Sequence, residues 1–129
     1  GAKAPRLVSH ELVTRMKQGS VLVDISIDQG GCFAGSRPTT HADPTYRVHD
    51  SLYYCVANMP GAVPHTSTYA LTNVTLPYVV ELANRGWRDA LRADPALALG
   101  LHTHEGSLTC QPVADAHGLP SKPLTEVLS

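Results

Sequence analysis

The run Val21-Leu22-Val23-Asp24-Ile25-Ser26-Ile27 and its ending, Asp28-Gln29-Gly30-Gly31, constrain this chain more than any other stretch. Residues 21–27 are β-branched and mostly apolar, the composition of a strand covered on both faces. Just upstream, Ser9 to Lys17 reads as a short helix, with Ser9 as N-cap, Glu11 in the first turn and Lys17 in the last. Gly19 is then the expected C-terminal cap. Helix, glycine and buried strand form the second half of a βαβ unit, which points to an α/β fold with a parallel sheet.

The strand's end is its informative part. Ligands of open parallel sheets bind at the carboxyl ends of the strands. Glycines there admit positive φ and let another group approach the backbone. Asp28 with Gly30 and Gly31 therefore has the make-up of a ligand site. The same residues equally make an ordinary turn, with Asp28 as turn former. The residues alone leave both readings open.

A Gly-, Pro- and Thr-rich loop follows, GGCFAGSRPTTHADP. Residues 46–50 and 52–57 read as a second strand region, ended by Asn58-Met59-Pro60-Gly61. From Thr66 the spacing of Ala70, Leu71, Val74, Tyr78 and Leu82 is helical, with a kink or break expected before Pro77 and a stop at Gly86. Residues 87–92 read as a further short helix. Asp94-Pro95 has the form of an N-cap with proline at the first helical position of another. Beyond His104 the pattern is weak. Tyr53, Tyr54 and Tyr78 are expected core aromatics with a polar tip.

Size and charge limit the function classes. At 129 residues the chain suffices for one domain with one core. A net charge of −1 with scattered Lys and Arg argues against nucleic acid or an anionic membrane as partner. No apolar run is long enough to span a bilayer. Cys32, Cys55 and Cys110 are widely spaced and form no CxxC pair, which suits a reducing, cytoplasmic setting. Cys32 has no evident base beside it for a nucleophilic role. His102 and His104 lack a third metal ligand in sequence. GGCFAG has the wrong spacing for a dinucleotide-binding glycine turn, so any such turn lies elsewhere.

The stretches VDISIDQGG, GSRPTT and CVANMPGAVPHTSTYALTN together resemble the C-terminal part of the alanine dehydrogenase/pyridine nucleotide transhydrogenase family, in its actinobacterial alanine dehydrogenase form. The resemblance runs through essentially the whole chain and weakens toward the tail. It implies the C-terminal half of a Rossmann-like NAD-binding domain over residues 1–59. Residues 60–129 would be the interdomain long helix and the C-terminal segment of the substrate domain. The implied activity is NAD-dependent interconversion of L-alanine with pyruvate and ammonia, in a cytoplasmic homohexamer. In the family the acid of the DQGG motif lies beside the nicotinamide and is needed for catalysis, and Asp28 matches it. Ile25, Ser26, Ile27 and Asp28 match one cofactor-lining segment; Val56, Ala57, Asn58 and Met59 match a second. Arg37 matches an arginine near the dinucleotide, where a guanidinium suits ribose or phosphate oxygens.

Departures from the family bear on the rest. The transhydrogenase NAD-binding subunit is the alternative, but it typically carries Glu, in AEQGG, where this chain has Asp28. Some family members hold magnesium with a Glu and a His four residues later; here Glu81 is followed by Arg85, so no metal is expected. The family's glycine-rich turn, its acid/base histidine and the arginine and lysine that hold the substrate carboxylate lie N-terminal to the matched region. The chain also begins at Gly1 without Met, so a piece of a longer polypeptide is the expectation, inactive by itself and ordered only beside the remainder of its subunit. A non-catalytic truncated or assembly fragment is the competing class.

Overall fold

A computed structural model describes residues 2–129. The chain divides into two compact units, Lys3–Pro64 and His65–Ser129, rather than forming one core. The boundary falls at the first residues of the long helix.

The first unit runs α1 (His10–Thr14), β1 (Val21–Val23), β2 (Thr45–Val48) and β3 (Ser51–Tyr54). The sheet order is β1-β3-β2. β1 and β3 are parallel, with Leu22 opposite Tyr53, and β2 and β3 form an antiparallel hairpin. What read as one strand region is thus a hairpin, turning at His49 and Asp50 where His49 has φ 51°. Ser9 caps α1 as expected, its hydroxyl accepting from the Leu12 N–H. The helix is shorter than expected, because Gly19 does not cap it. Gly19, at φ 81°, instead donates its N–H to the Asp50 carbonyl and ties the α1–β1 turn to the hairpin.

The core of this unit is Val13, Leu22, Ile27, Tyr53 and Cys55, with Val8, Met16, Phe33, Tyr46 and Val48 packed around it. Tyr53 is fully buried and satisfies its hydroxyl by donating to the Ala34 carbonyl at 2.8 Å. Phe33 meets its ring edge-on at 6.3 Å between centroids. Burying side chains of this size contributes roughly 1.5–3 kcal/mol each, so this small cluster carries most of the unit's hydrophobic stabilisation.

The expected strand over 21–27, covered on both faces, is corrected in both respects. It ends at Val23, because the next residue turns its side chain inward and takes over the loop. Leu22 alone of the strand faces the core. Val21 and Val23 are 61% and 49% exposed, and Ile25 is 78% exposed.

The second unit opens with α2 (Pro64–Arg85), then α3 (Trp87–Ala93) and α4 (Pro95–Ala98). A two-residue hairpin, β4 (Thr103–His104) with β5 (Ser107–Leu108), and two short helices, α5 (Gln111–His117) and α6 (Leu124–Leu128), complete it. α2 begins at Pro64, two residues earlier than expected, and runs through Pro77 without a break. Proline there removes one N–H from the ladder. Two residues earlier the Thr75 hydroxyl donates to the Leu71 carbonyl at 2.9 Å, adding a bond beside the weakened turn. Asp94 caps α4 as expected, accepting from the Ala96 and Leu97 N–H groups. No residue of α2 is buried, and Tyr78 is 46% exposed rather than a core aromatic. Tyr54 is only partly buried.

Candidate active site

The site is built on one buried carboxylate, that of Asp24, which the sequence reading passed over. Asp24 is 1% exposed and gives its N–H to the Tyr54 carbonyl as the last rung beside β3. Its Oδ1 accepts from the Ser26 N–H at 3.2 Å. Its Oδ2 accepts from the Cys32 N–H at 2.8 Å, the Phe33 N–H at 3.3 Å and the Ser36 hydroxyl. One side chain thus replaces a strand ladder and closes the loop that follows β1.

The two glycines have separable reasons. Gly30 and Gly31 both adopt positive φ, 96° and 75°. Around Gly30 there is open space, and only its backbone conformation is at issue. Gly31 is also packed: a Cβ there would lie 2.6 Å from the Ser36 Cβ and 2.7 Å from Asp24 Oδ2. Any side chain at Gly31 would push the loop off its carboxylate.

Between these glycines and β1, a single 3-10 turn, Ile27–Gln29, presents Asp28. Because β1 and β3 are parallel neighbours, their carboxyl ends open on the same edge. A cavity of about 330 Å³ lies there, lined by Ile25 and Asp28 from the first strand end and by Val56, Asn58, Met59 and Pro60 from the second. Among the described residues Asp28 makes no hydrogen bond or ion pair, and it is the one acidic group of the lining. The walls are otherwise mostly apolar. Asn58 is held in the left-handed region at φ 55°, ψ 52°. Its carbonyl accepts from the Gly61 N–H at 2.9 Å and from His41 Nε2 at 3.0 Å.

Five of the nine residues singled out from the sequence therefore line one cavity: Ile25, Asp28, Val56, Asn58 and Met59. Four do not. Ile27 is buried in the core. Ser26 serves the loop, its N–H on Asp24 and its carbonyl accepting from Gln29 and Gly31. Ala57 donates its N–H to the Thr39 carbonyl. Arg37 lies over the Tyr46 ring, its guanidinium carbon 4.0 Å from the ring centroid. Asp24 and His41 are the residues the reading missed. A carboxylate inside an apolar run was the available signal for Asp24; nothing local marks His41.

The remaining candidates have other employment. Cys32 contributes its N–H to the Asp24 cluster. His104 packs against Trp87 with its ring tilted by 44°, 5.0 Å between ring centroids. Glu81 pairs with Arg85 at 2.7 Å across one helical turn. Among the described residues no group of three or more His, Cys, Asp or Glu is arranged to hold a metal ion.

Tyr46 supplies a pH-dependent feature beside this site. Its hydroxyl donates to the Gly35 carbonyl, accepts from the Arg37 N–H and lies 3.5 Å from Cys55 Sγ. Burial, reinforced by Cys55, pushes its pKa up to about 12 despite the nearby Arg37 charge. A raised acid pKa favours the protonated fold. The stabilisation is full below the unfolded tyrosine value near 10, and is lost as pH rises from there through about 12. Tyrosinate absorbance followed through an alkaline titration should show two late-titrating tyrosines, Tyr46 and the fully buried Tyr53, whose pKa burial also raises, ionising with loss of the fold. Tyr46→Phe should remove one of the two; an unchanged titration would show the assignment to be wrong.

The comparisons with known proteins give the family. The model of the alanine dehydrogenase/PNT C-terminal domain matches residues 1–111. The chain is 64% identical over 129 residues to an alanine dehydrogenase of Mycobacterium tuberculosis, covering 100% of the chain and 35% of that protein. It is 60% identical over 119 residues to one of Halomonas elongata, covering 92% of the chain and 32% of that protein. A solved L-alanine dehydrogenase superposes on the whole chain with a TM-score of 0.70 at 46% identity, over 33% of its own length. The chain thus spans about a third of the length of the curated relatives it matches, and corresponds to their C-terminal part. On its length, its motifs and its fold, the chain belongs to the alanine dehydrogenase/PNT family, as its C-terminal domain.

Proposed function

We propose that the chain is the C-terminal portion of an NAD-dependent L-alanine dehydrogenase subunit, in which Asp28 is the catalytic carboxylate. The observation that carries this reading is the cavity itself. It sets one unpartnered carboxylate among apolar walls at the shared edge of two parallel strands, in a chain 64% identical to an alanine dehydrogenase throughout.

The residues suit a nicotinamide ring. Ile25, Val56 and Met59 offer apolar surface to a flat ring, and Asn58 and Asp28 offer polar groups for its edge or for the substrate beside it. When bound, the cofactor supplies the hydride acceptor. The chain's own part is orientation, charge and water exclusion. Oxidation of an amine carbon builds positive charge, and the Asp28 carboxylate, exposed in this chain, would stabilise it once cofactor and substrate displace water from the cavity. Asp28 also provides a proton acceptor at its carboxylate oxygens. Arg37, held over Tyr46, would serve the dinucleotide farther from the ring, and Ser26, Ile27 and Ala57 act through the backbone that shapes the cavity.

Two features support a larger subunit around this chain. The apolar residues of α2, among them Tyr69, Leu71, Val74 and Val79, are exposed except for the half-buried Leu82, which marks a helix made to be covered. Val21 and Val23 likewise present an apolar strand face outward. We assign these surfaces to the remainder of the subunit and to a homohexamer. The unpaired cysteines suit a cytoplasmic location.

The test uses a complete subunit in which these 129 residues replace the matching C-terminal segment of the Mycobacterium tuberculosis relative. Alanine-dependent NADH formation and hexameric elution are expected. The isolated chain should show no such activity, since the family's other substrate-binding groups lie outside it. NADH formation by the isolated chain, or an inert complete subunit, would refute the proposal.

A further inference from the structure

We propose that His41 is a positioning residue that fixes the cavity wall formed by Asn58 and Met59. This inference rests on the nicotinamide-site reading and adds a residue to it. His41 lies in the loop before β2 and reaches 17 residues along the chain to Asn58. A carbonyl oxygen only accepts, so the imidazole must donate from Nε2 in that 3.0 Å bond. The Gly61 N–H donates to the same oxygen at 2.9 Å. Two donors on one carbonyl fix the orientation of the whole planar Asn58–Met59 peptide.

That peptide needs holding. Asn58 is one of three non-glycine residues at positive φ among the described residues, and it alone of the three lines the cavity. Left-handed backbone is unfavourable for a residue with a side chain, although asparagine tolerates it best, so it persists where surrounding contacts impose it. The packing at Gly61 is a second, independent sign. A Cβ there would lie 3.1 Å from Asn58 Nδ2 and 3.5 Å from His41 Nε2. The imidazole, the turn and the Asn58 side chain therefore lie in contact with one another, and a methyl group at Gly61 would fit only if the Asn58 amide gave way by a few tenths of an ångström. His41 is itself exposed and outside the core, so its replacement leaves the fold's packing in place.

The experiment compares His41→Ala and His41→Gln with the unsubstituted complete subunit. Glutamine can return an N–H donor close to the position of Nε2. In His41→Ala the KM for NAD should rise about five- to tenfold, the factor one hydrogen bond is worth, while the KM for alanine stays within about twofold. Exchange of the Gly61 amide should quicken, and the melting temperature should stay within about 2 °C. His41→Gln should restore both the NAD KM and the Gly61 protection. An unaltered NAD KM, an unaltered Gly61 amide, or a glutamine variant no better than alanine would overturn the proposal. So would parallel rises in both KM values with a lowered melting temperature, which is the pattern of a merely structural residue. A complete subunit that neither binds NAD nor turns over before any substitution would overturn the dehydrogenase reading, and this inference with it.

Discussion

Asp28→Asn in the complete subunit is expected to cut turnover roughly a thousandfold while NAD affinity stays within about threefold. The amide keeps the shape of the side chain but removes its charge and its ability to take a proton. Asp28 makes no hydrogen bond or ion pair among the described residues, so the substitution leaves no orphaned partner in the fold and should hardly move the melting temperature. Affinity should survive because Ile25, Val56 and Met59 supply the apolar contact area, and that area is the same in both proteins. The competing view, that Asp28 merely forms the turn, predicts something different. Asparagine is as good a turn former as aspartate, so turnover would then stay near that of the parent. Steady-state rates with calorimetric NAD titration separate the two. Turnover within a few-fold of the parent would remove Asp28 from the mechanism.

The strand ends were more legible than the long-range contacts that support them. Asp28 and the Asn58-Met59 turn could be found because strand ends announce themselves by an abrupt change from β-branched to small and polar residues. The caps at Ser9 and Asp94 were equally local, each a side chain serving its own backbone two or three residues away. What the sequence hid was non-local. Ile25 and Ile27 continue the apolar alternation of β1, yet the strand stops at Val23. Nothing within a short window shows that Asp24 will collect donors from residues up to twelve positions away. Likewise the hairpin β2–β3 has no Asn-Gly or Asp-Gly at its tip, only His49 and Asp50, so a single strand region was the natural reading. The segment after His104 carries two-residue strands and helices of five and seven residues, too short for any period to register.

Asp24 is where a substitution should cost most in stability. Asp24→Ala would leave the part-buried Ser26, Cys32 and Phe33 N–H groups and the Ser36 hydroxyl without their acceptor. Stranded donors cost about 1–3 kcal/mol each, and even at the lower figure the sum is about 3–4 kcal/mol, a large share of a domain's stability. Asp24→Asn should cost less. Its amide oxygen can still face the Cys32 and Phe33 donors, while its NH₂ would oppose the Ser26 N–H and lose only that longer bond. The order parent, Asn, Ala in melting temperature follows, with early loss of amide protection at Cys32 and Phe33. Activity should follow a different pattern from that of Asp28→Asn. The loop Asp24 closes is the one that carries Asp28 and Ile25 to the cavity, so Asp24→Ala should lose NAD affinity and turnover together, whereas Asp28→Asn should lose turnover alone. A melting temperature for Asp24→Ala within a degree or two of the parent would mean that water or a rearranged loop replaces the carboxylate, and that Asp24 does not organise the site.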